Sequence, residues 1–338
     1  MNRREFLIRS ALAAAGVTAV GGLLGCGKQA AAPATGTQSI TGAFLPNGGA
    51  PGGKIGHNRW DPSAAGDVTL AVAQKAAPGD LTRTAINRYG GISTWIKPGD
   101  RVVIKPNLAY GTQPPQAATI HPEVLAAILA LCQEAKAKEI LVVEHPLNTA
   151  ETAFGLSGAQ AVCDAAGVRL VALSSEALYD HVDFHTGQNL KEDRIAKDIL
   201  ECDAYINLAI AKVHGASKVT LGMKNQMGAI WDRQRYHTSG TTKGGADNLS
   251  QNIADLAMAL RPTLTVIDAT RALMSNGPQG PGHVEEPHSV VVSADPVAAD
   301  AYACRFLNIQ PEQVAHIRLA AERGLGKMDP KTFKVAAA

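Results

Sequence analysis

A series of short apolar runs, separated by stretches of helical periodicity, restricts this chain more than any other feature of its sequence. The runs are Val68–Ala73, Val102–Pro106, Ile140–Glu144, Leu170–Leu173, Tyr205–Val213, Leu264–Asp268 and Ser289–Ser293. Most are continuous rather than alternating, the pattern of strands covered on both faces. The helical patterns between and after them are Leu81–Tyr89, Pro122–Lys136, Thr152–Ala166, Asp193–Glu201, Leu249–Leu260, Pro296–Phe306 and Pro311–Arg323. Pro122 and Pro311 occupy first-turn positions, and Gly167 and Gly324 follow the expected C-termini. Strands alternating with helices of this length build βαβ units. The expected fold class is therefore α/β, a mostly parallel sheet covered by helices on both faces, in a single large domain.

The N-terminus reads as an address. Arg3 and Arg4 precede an apolar stretch, Ala11–Gly25, that is 15 residues long and holds four glycines. A bilayer span needs about 20 apolar residues, so a signal peptide fits better than an anchor helix. Arg3-Arg4-Glu5-Phe6-Leu7 resembles the twin-arginine export signal, whose translocase carries folded proteins; ordinary secretion is the alternative. Leu23-Leu24-Gly25-Cys26 resembles the lipobox of bacterial lipoproteins, with the Cys26 thiol as the lipidation site, against a chance cysteine near a cleavage site. From Gly27 to Trp60 the chain has eight glycines, three prolines and no acidic residue. The expected organisation is a signal peptide over 1–25, a lipid-anchored flexible tether over 26–60 and the α/β domain over 61–338. The protein would be exported and held by lipid on a bacterial membrane, facing the periplasm or the cell exterior.

With 46% hydrophobic residues the chain can bury a real core, which excludes global disorder. Once the signal peptide is removed, basic and acidic residues are equal in number, and no Lys/Arg run is present. No nucleic-acid partner is expected from such a surface. Beyond Cys26 the cysteines are Cys132, Cys163, Cys202 and Cys304, without any CxxC spacing. A Cys-ligated iron–sulfur cluster is not expected; buried thiols are the favoured reading, with an oxidised pair as the alternative.

Two strands end in chemistry. Lys105 and Asn107 are two residues apart at the end of the run Val102–Pro106, so they share a face where the strand leaves the sheet. Lys212 and His214 repeat the pattern at the end of Tyr205–Val213, and Lys224 and Asn225 follow closely. The carboxyl edge of an open parallel sheet is where ligands sit, and a lysine there is costly to bury unless an anion meets it. The alternative for Lys105 and Asn107 is a surface lysine and a turn. His121 opens the Pro122 helix, either as a cap or as a site residue. Lys212, His214 and His121 are the catalytic candidates. Lys105, Asn107, Lys224, Asn225 and the turn glycines Gly277 and Gly280 are the cofactor-binding candidates. Asp268, Asp295 and Asp300 are the acids expected nearby, Asp295 having helix capping as a sufficient explanation. The loop holding His181 and His185 is a candidate metal ligand set, without a recognised metal motif. The implied ligand is a small anion; the cofactor is unspecified, either an anionic organic group or a metal.

Taken in order, VVIKPNL, TIHPEV, INLAIAKVHG, LGMKNQMG, GPQGPG, ADPVAADAYA and AAERGLGKMD resemble the domain-of-unknown-function 362 family over about Val68 to Asp329. That family has no settled activity. Many of its relatives carry ferredoxin-like segments, which this chain lacks. The order of elements and the Lys-x-His before Gly-x-Lys are also similar to the nickel-pincer lactate racemase family. That likeness implies a lysine carrying a nucleotide-derived cofactor, with Lys212, His214 and Lys224 as the positions concerned. The functional expectation is a cofactor- or metal-dependent enzyme acting on an anionic small molecule by isomerase- or redox-type chemistry. A non-catalytic ligand- or cofactor-binding lipoprotein is the alternative. The address makes one prediction: mass spectrometry of the membrane fraction finds an acylated N-terminal Cys26 and no peptide from Arg3 to Gly25. Soluble full-length protein would contradict it.

Overall fold

The computed structural model describes residues 55–238 and 248–337, so the expected signal peptide, the candidate lipidation site Cys26 and the expected tether as far as Lys54 lie outside the described residues. The strands are β1 (Leu70–Gln74), β2 (Arg101–Pro106), β3 (Glu139–Glu144), β4 (Arg169–Ala172), β5 (Tyr179–Asp183) and β6 (Glu192–Ala196). They continue as β7 (Ala204–His214), β8 (Lys218–Thr220), β9 (Leu264–Leu273), β10 (Val284–Glu285), β11 (Ser289–Ser293) and β12 (Val335–Ala337). The main sheet runs β12-β1-β11-β9-β7-β2-β3-β4. Strands β9, β7, β2, β3 and β4 are parallel neighbours, while β11 runs antiparallel to both β9 and β1. Strands β8 and β10 fold back on β7 and β9, and β5 pairs with β6 in a separate ribbon. The α/β class with a mostly parallel sheet is what the structure has.

Side chains alternate between two apolar cores. Val103, Leu141, Val143, Ala209 and Ala211 enter one core, packed beneath the helices Asn248–Ala259, Pro296–Ala303 and Ala315–Glu322. Val102, Ile104, Val142, Leu208 and Ile210 enter the other, beneath Pro78–Arg88, Pro122–Glu134 and Ala159–Ala166. Both faces being covered is the reason the strands read as unbroken apolar runs. The helix expected over Asp193–Glu201 is instead β6 and a short helix, Lys197–Glu201, because burial in β6 alternates: Asp193 and Ile195 are buried while Glu192 and Arg194 are exposed. The pattern Thr152–Ala166 splits into Ala150–Leu156 and Ala159–Ala166, separated by Gly158 at φ +77°.

The folded body also begins ahead of Asp61. The Ile55 amide donates to the Ala259 carbonyl at 2.9 Å, the Asn58 amide group to the Arg261 carbonyl at 2.9 Å, and the Trp60 indole to the Ala294 carbonyl at 2.8 Å. Residues 55–60 are thus part of the domain rather than of a flexible tether. Cys132, Cys163, Cys202 and Cys304 are buried free thiols. Among the described residues no helix is long and apolar enough to cross a membrane.

Candidate functional site

Parallel pairing brings the polar strand ends to one edge. Lys105 of β2 is opposite Asn207 of β7, and Ile104 is opposite Val142 of β3, so Lys105 and Glu144 finish neighbouring strands. Strand β7 overshoots this edge and turns back through β8, with Lys212 opposite Thr220. The short helix Gly222–Asn225 follows β8. Together these elements wall a cavity of about 420 Å³. Lys105, Asn107, Lys212, His214, Lys224 and Asn225 all line it.

A hydrogen-bonded cluster forms the floor. The Lys105 ammonium donates to Glu144 Oε2 at 2.8 Å, to Asn225 Oδ1 at 3.0 Å and to the Pro106 carbonyl at 2.7 Å. Glu144 also accepts the backbone amides of Leu108 at 3.0 Å and His145 at 2.9 Å. Asn225 ties the cluster across the sheet, accepting from Asn107 Nδ2 at 2.9 Å and donating to Asn207 Oδ1 at 2.8 Å. Asp300 fixes the turn that carries Asn225 and Lys224, accepting the amides of Gly222 at 2.6 Å and Met223 at 2.9 Å. Burial pushes the Asp300 carboxyl up to about 7.

Above this floor the charge is one-sided. Lys212 is buried, donates to Asn107 Oδ1 at 3.0 Å and to the Ala118 carbonyl, and lies 5.0 Å from the centre of the Tyr110 ring. Desolvation, with Lys224 adding repulsion, brings its pKa down to about 7. The Lys224 ammonium makes no hydrogen bond or ion pair among the described residues; burial, with Arg233 and Lys105 adding to it, lowers its pKa to about 8. Both values lie below the ordinary 10.5, so the native state binds fewer protons than the unfolded chain between about 7 and that value. Stability therefore rises with pH across that window. Arg233 is held by the His145 carbonyl at 2.7 Å and the Pro146 carbonyl at 3.3 Å rather than by an acid. The Thr220 hydroxyl is a further buried group on the wall without a partner.

His214 corrects the expectation of an acid/base group titrating near neutrality. Burial first, then Lys224 and Lys212, depress it to about 3. Its Nδ1 accepts from the Ala216 amide at 3.1 Å and the Ser217 amide at 3.4 Å, so the neutral ring carries its proton on Nε2.

The other candidates fall outside the cavity wall. His121 caps its helix, Nδ1 accepting from the Glu123 amide at 3.1 Å, while its own amide donates to Asp268 at 2.7 Å. Gly277 and Gly280 shape the turn whose Pro278 reaches the cavity: a Cβ on Gly277 would sit 1.8 Å from the Val213 carbonyl oxygen, and Gly280 has φ +73°. Asp268, Asp295 and Asp300 are internal clamps on backbone amides. The cavity's buried acid is Glu144, which ends a strand as Lys105 does and was legible by the same signal; the other lining acid, Asp232, is exposed. Tyr110, Trp231 and Arg233 lie in loops or a short helix and give no such signal. Among the described residues, His181, Asp183 and Glu192 form the group with metal-ligand spacing; it is exposed and lies on the β5–β6 ribbon, not in the cavity.

Gly228 is where the backbone presses on the Lys105–Glu144 pair. A Cβ there would lie 2.0 Å from Glu144 Oε1 and 2.4 Å from Lys105 Cε. Gly228→Ala must push this buried pair apart. Denaturant unfolding is expected to show a loss of about 3 kcal/mol, the cost of disrupting a buried ion pair; a loss below about 0.5 kcal/mol, typical of a neutral surface change, would contradict this packing.

The chain is similar to a family profile, to a curated protein and to a solved structure. The profile of the family described as "Domain of unknown function (DUF362)" matches residues 102–305. The thylakoid-associated protein sll1697 of Synechocystis sp. is 27% identical over 262 residues, covering 77% of this chain and 79% of that protein. The lactate racemase apoprotein from Thermoanaerobacterium thermosaccharolyticum superposes with a TM-score of 0.46 at 13% identity; it covers 75% of this chain, which spans 61% of that one. The matched segment includes β2, β3, β7 and all three cavity lysines, and by it this chain belongs to the DUF362 family.

Proposed function

We propose that the protein is an enzyme that binds a small anion at the carboxyl edge of its sheet and moves a proton on it, in isomerase-type chemistry. The observation that carries this reading is a buried Lys212 with a pKa of about 7, beside Lys224, which no acid meets. A neutral amine has two N–H bonds and one lone pair. Asn107 Oδ1 and the Ala118 carbonyl take the two N–H groups and leave the lone pair for a substrate proton. Lys224 and Arg233 supply the charge that holds a carboxylate or phosphate. His214, fixed as the Nε2–H tautomer, donates to an oxygen on which charge develops.

An anionic organic cofactor fits the donors of Lys224, Arg233 and the Thr220 hydroxyl, with Asn225 and Lys105 closing the floor beneath it, whereas a bare metal ion would meet the imidazoles of His145, His214 and His237 only among repelling cations. When bound, such a group would supply the electron-accepting centre that a proton-moving lysine lacks. Export in the folded state, a lipid on Cys26 and a location outside the cytoplasm belong to the same proposal. They rest on the Arg3-Arg4 and Cys26 motifs and accord with a relative named as thylakoid-associated. A binding lipoprotein is the second reading, favoured by the engagement of both Lys212 N–H groups within the fold.

Carbon-bound hydrogen exchange separates the two. Full-length protein in detergent and D2O, incubated with a panel of 2-hydroxy and 2-keto carboxylates, is expected to wash deuterium into at least one. Lys212→Met is expected to abolish exchange, about a thousandfold or more, while weakening carboxylate binding only several-fold. Binding without exchange in the wild-type protein would overturn the enzyme reading.

A further inference from the structure

We infer that the anion taken by this cavity carries a planar, unsaturated body next to its charged group, as in an aryl phosphate or aryl carboxylate. The inference rests on the anion reading above and names its substrate class. The wall is graded by depth. Lys105 and Lys212 are 1% exposed in the depth of the cavity, whereas the outer wall carries half-buried Tyr110, His145 and Trp231, with Leu147 56% exposed at the rim. The rings are organised rather than scattered. His145 and Trp231 stack with centroids 5.6 Å apart and planes 4° from parallel, and buried Tyr179 braces both from behind at 6.0 and 5.5 Å. Arg233 grips the backbone carbonyls of His145 and Pro146, so the cation and the stacked pair are held as one unit. The Tyr110 ring, on the other strand end, lies against Lys212. An inorganic anion satisfies the lysines and leaves these ring surfaces in water. A flat ring attached to the anion covers them and gains stacking. The volume of about 420 Å³ lies within the range of roughly 300–1,000 Å³ common for organic ligands.

Titration calorimetry on full-length protein in detergent at pH 7, with inorganic phosphate, phenyl phosphate and hexyl phosphate, tests this. Phenyl phosphate is expected to bind at least tenfold tighter than phosphate and tighter than hexyl phosphate. Trp231→Ala and Tyr110→Leu are each expected to shrink the phenyl-to-phosphate ratio severalfold, with Trp231→Leu replacing the alanine variant if that fails to fold. Equal affinities for the three probes, hexyl phosphate matching phenyl phosphate, or an unchanged ratio in folded variants would each overturn the inference while leaving the anion reading intact. Failure of all three to bind would remove the anion reading, and the inference with it.

Discussion

The buried pair of Lys105 and Glu144, both 1% exposed, is the interaction on which the rest of the site depends. Two charges taken out of water cost several kcal/mol each, and only tight geometry with further hydrogen bonds repays that cost. Asn225, the Pro106 carbonyl and the amides of Leu108 and His145 supply those bonds. The consequence is positional. Strands β2 and β3 must finish level, the 222–225 turn must lie across them, and residue 228 must lack a side chain. Replacing one member leaves an uncompensated charge, so the pair specifies register as much as it stabilises.

Using Glu144 for this purpose leaves Lys212 and Lys224 without a buried acid of their own, the other lining acid, Asp232, being exposed. Desolvation, with repulsion from Lys224 on Lys212 and from Arg233 and Lys105 on Lys224, is why both lose protons more readily than a surface lysine. Asp300 holds the turn that keeps Lys224 in place but reaches it only through backbone amides, so it supplies no counter-charge to the cavity. An anionic ligand relieves the repulsion and raises both pKa values. Binding above about pH 7 therefore takes up protons and weakens as pH rises. The same field holds His214 neutral, converting the residue that reads from sequence as an acid/base group into a fixed hydrogen-bond donor.

The sheet was legible because helices cover both faces, which makes buried parallel strands uniformly apolar. Strand β6 was not, since Asp193 puts a charged residue at a buried position of its short alternating pattern and the adjoining Lys197–Glu201 turn completes a helical period. Lys105 with Asn107, and Lys212 with His214, were legible because residues two apart on a strand share a face. That these pairs meet depends on β2 and β7 being neighbours, which no local pattern states. Glu144 carried the same end-of-strand signal, yet only the β2–β3 register shows that Lys105 is its partner. Tyr110, Trp231 and Arg233 sit where the chain has no period, so only the tertiary structure gathers them. His121 illustrates the reverse case: its histidine-proline context suits a site and a cap equally, and its hydrogen bonds are those of a cap.

The central claim is that desolvation and repulsion among the cavity's cations hold Lys212 and Lys224 partly deprotonated at neutral pH. NMR titration of full-length protein carrying 13Cε-labelled lysine measures this directly, with Lys212→Met and Lys224→Met assigning the resonances. The account predicts two lysines titrating near 7 and 8, both moving upward when phosphate is added. All lysines titrating near the ordinary value of 10.5 would contradict it.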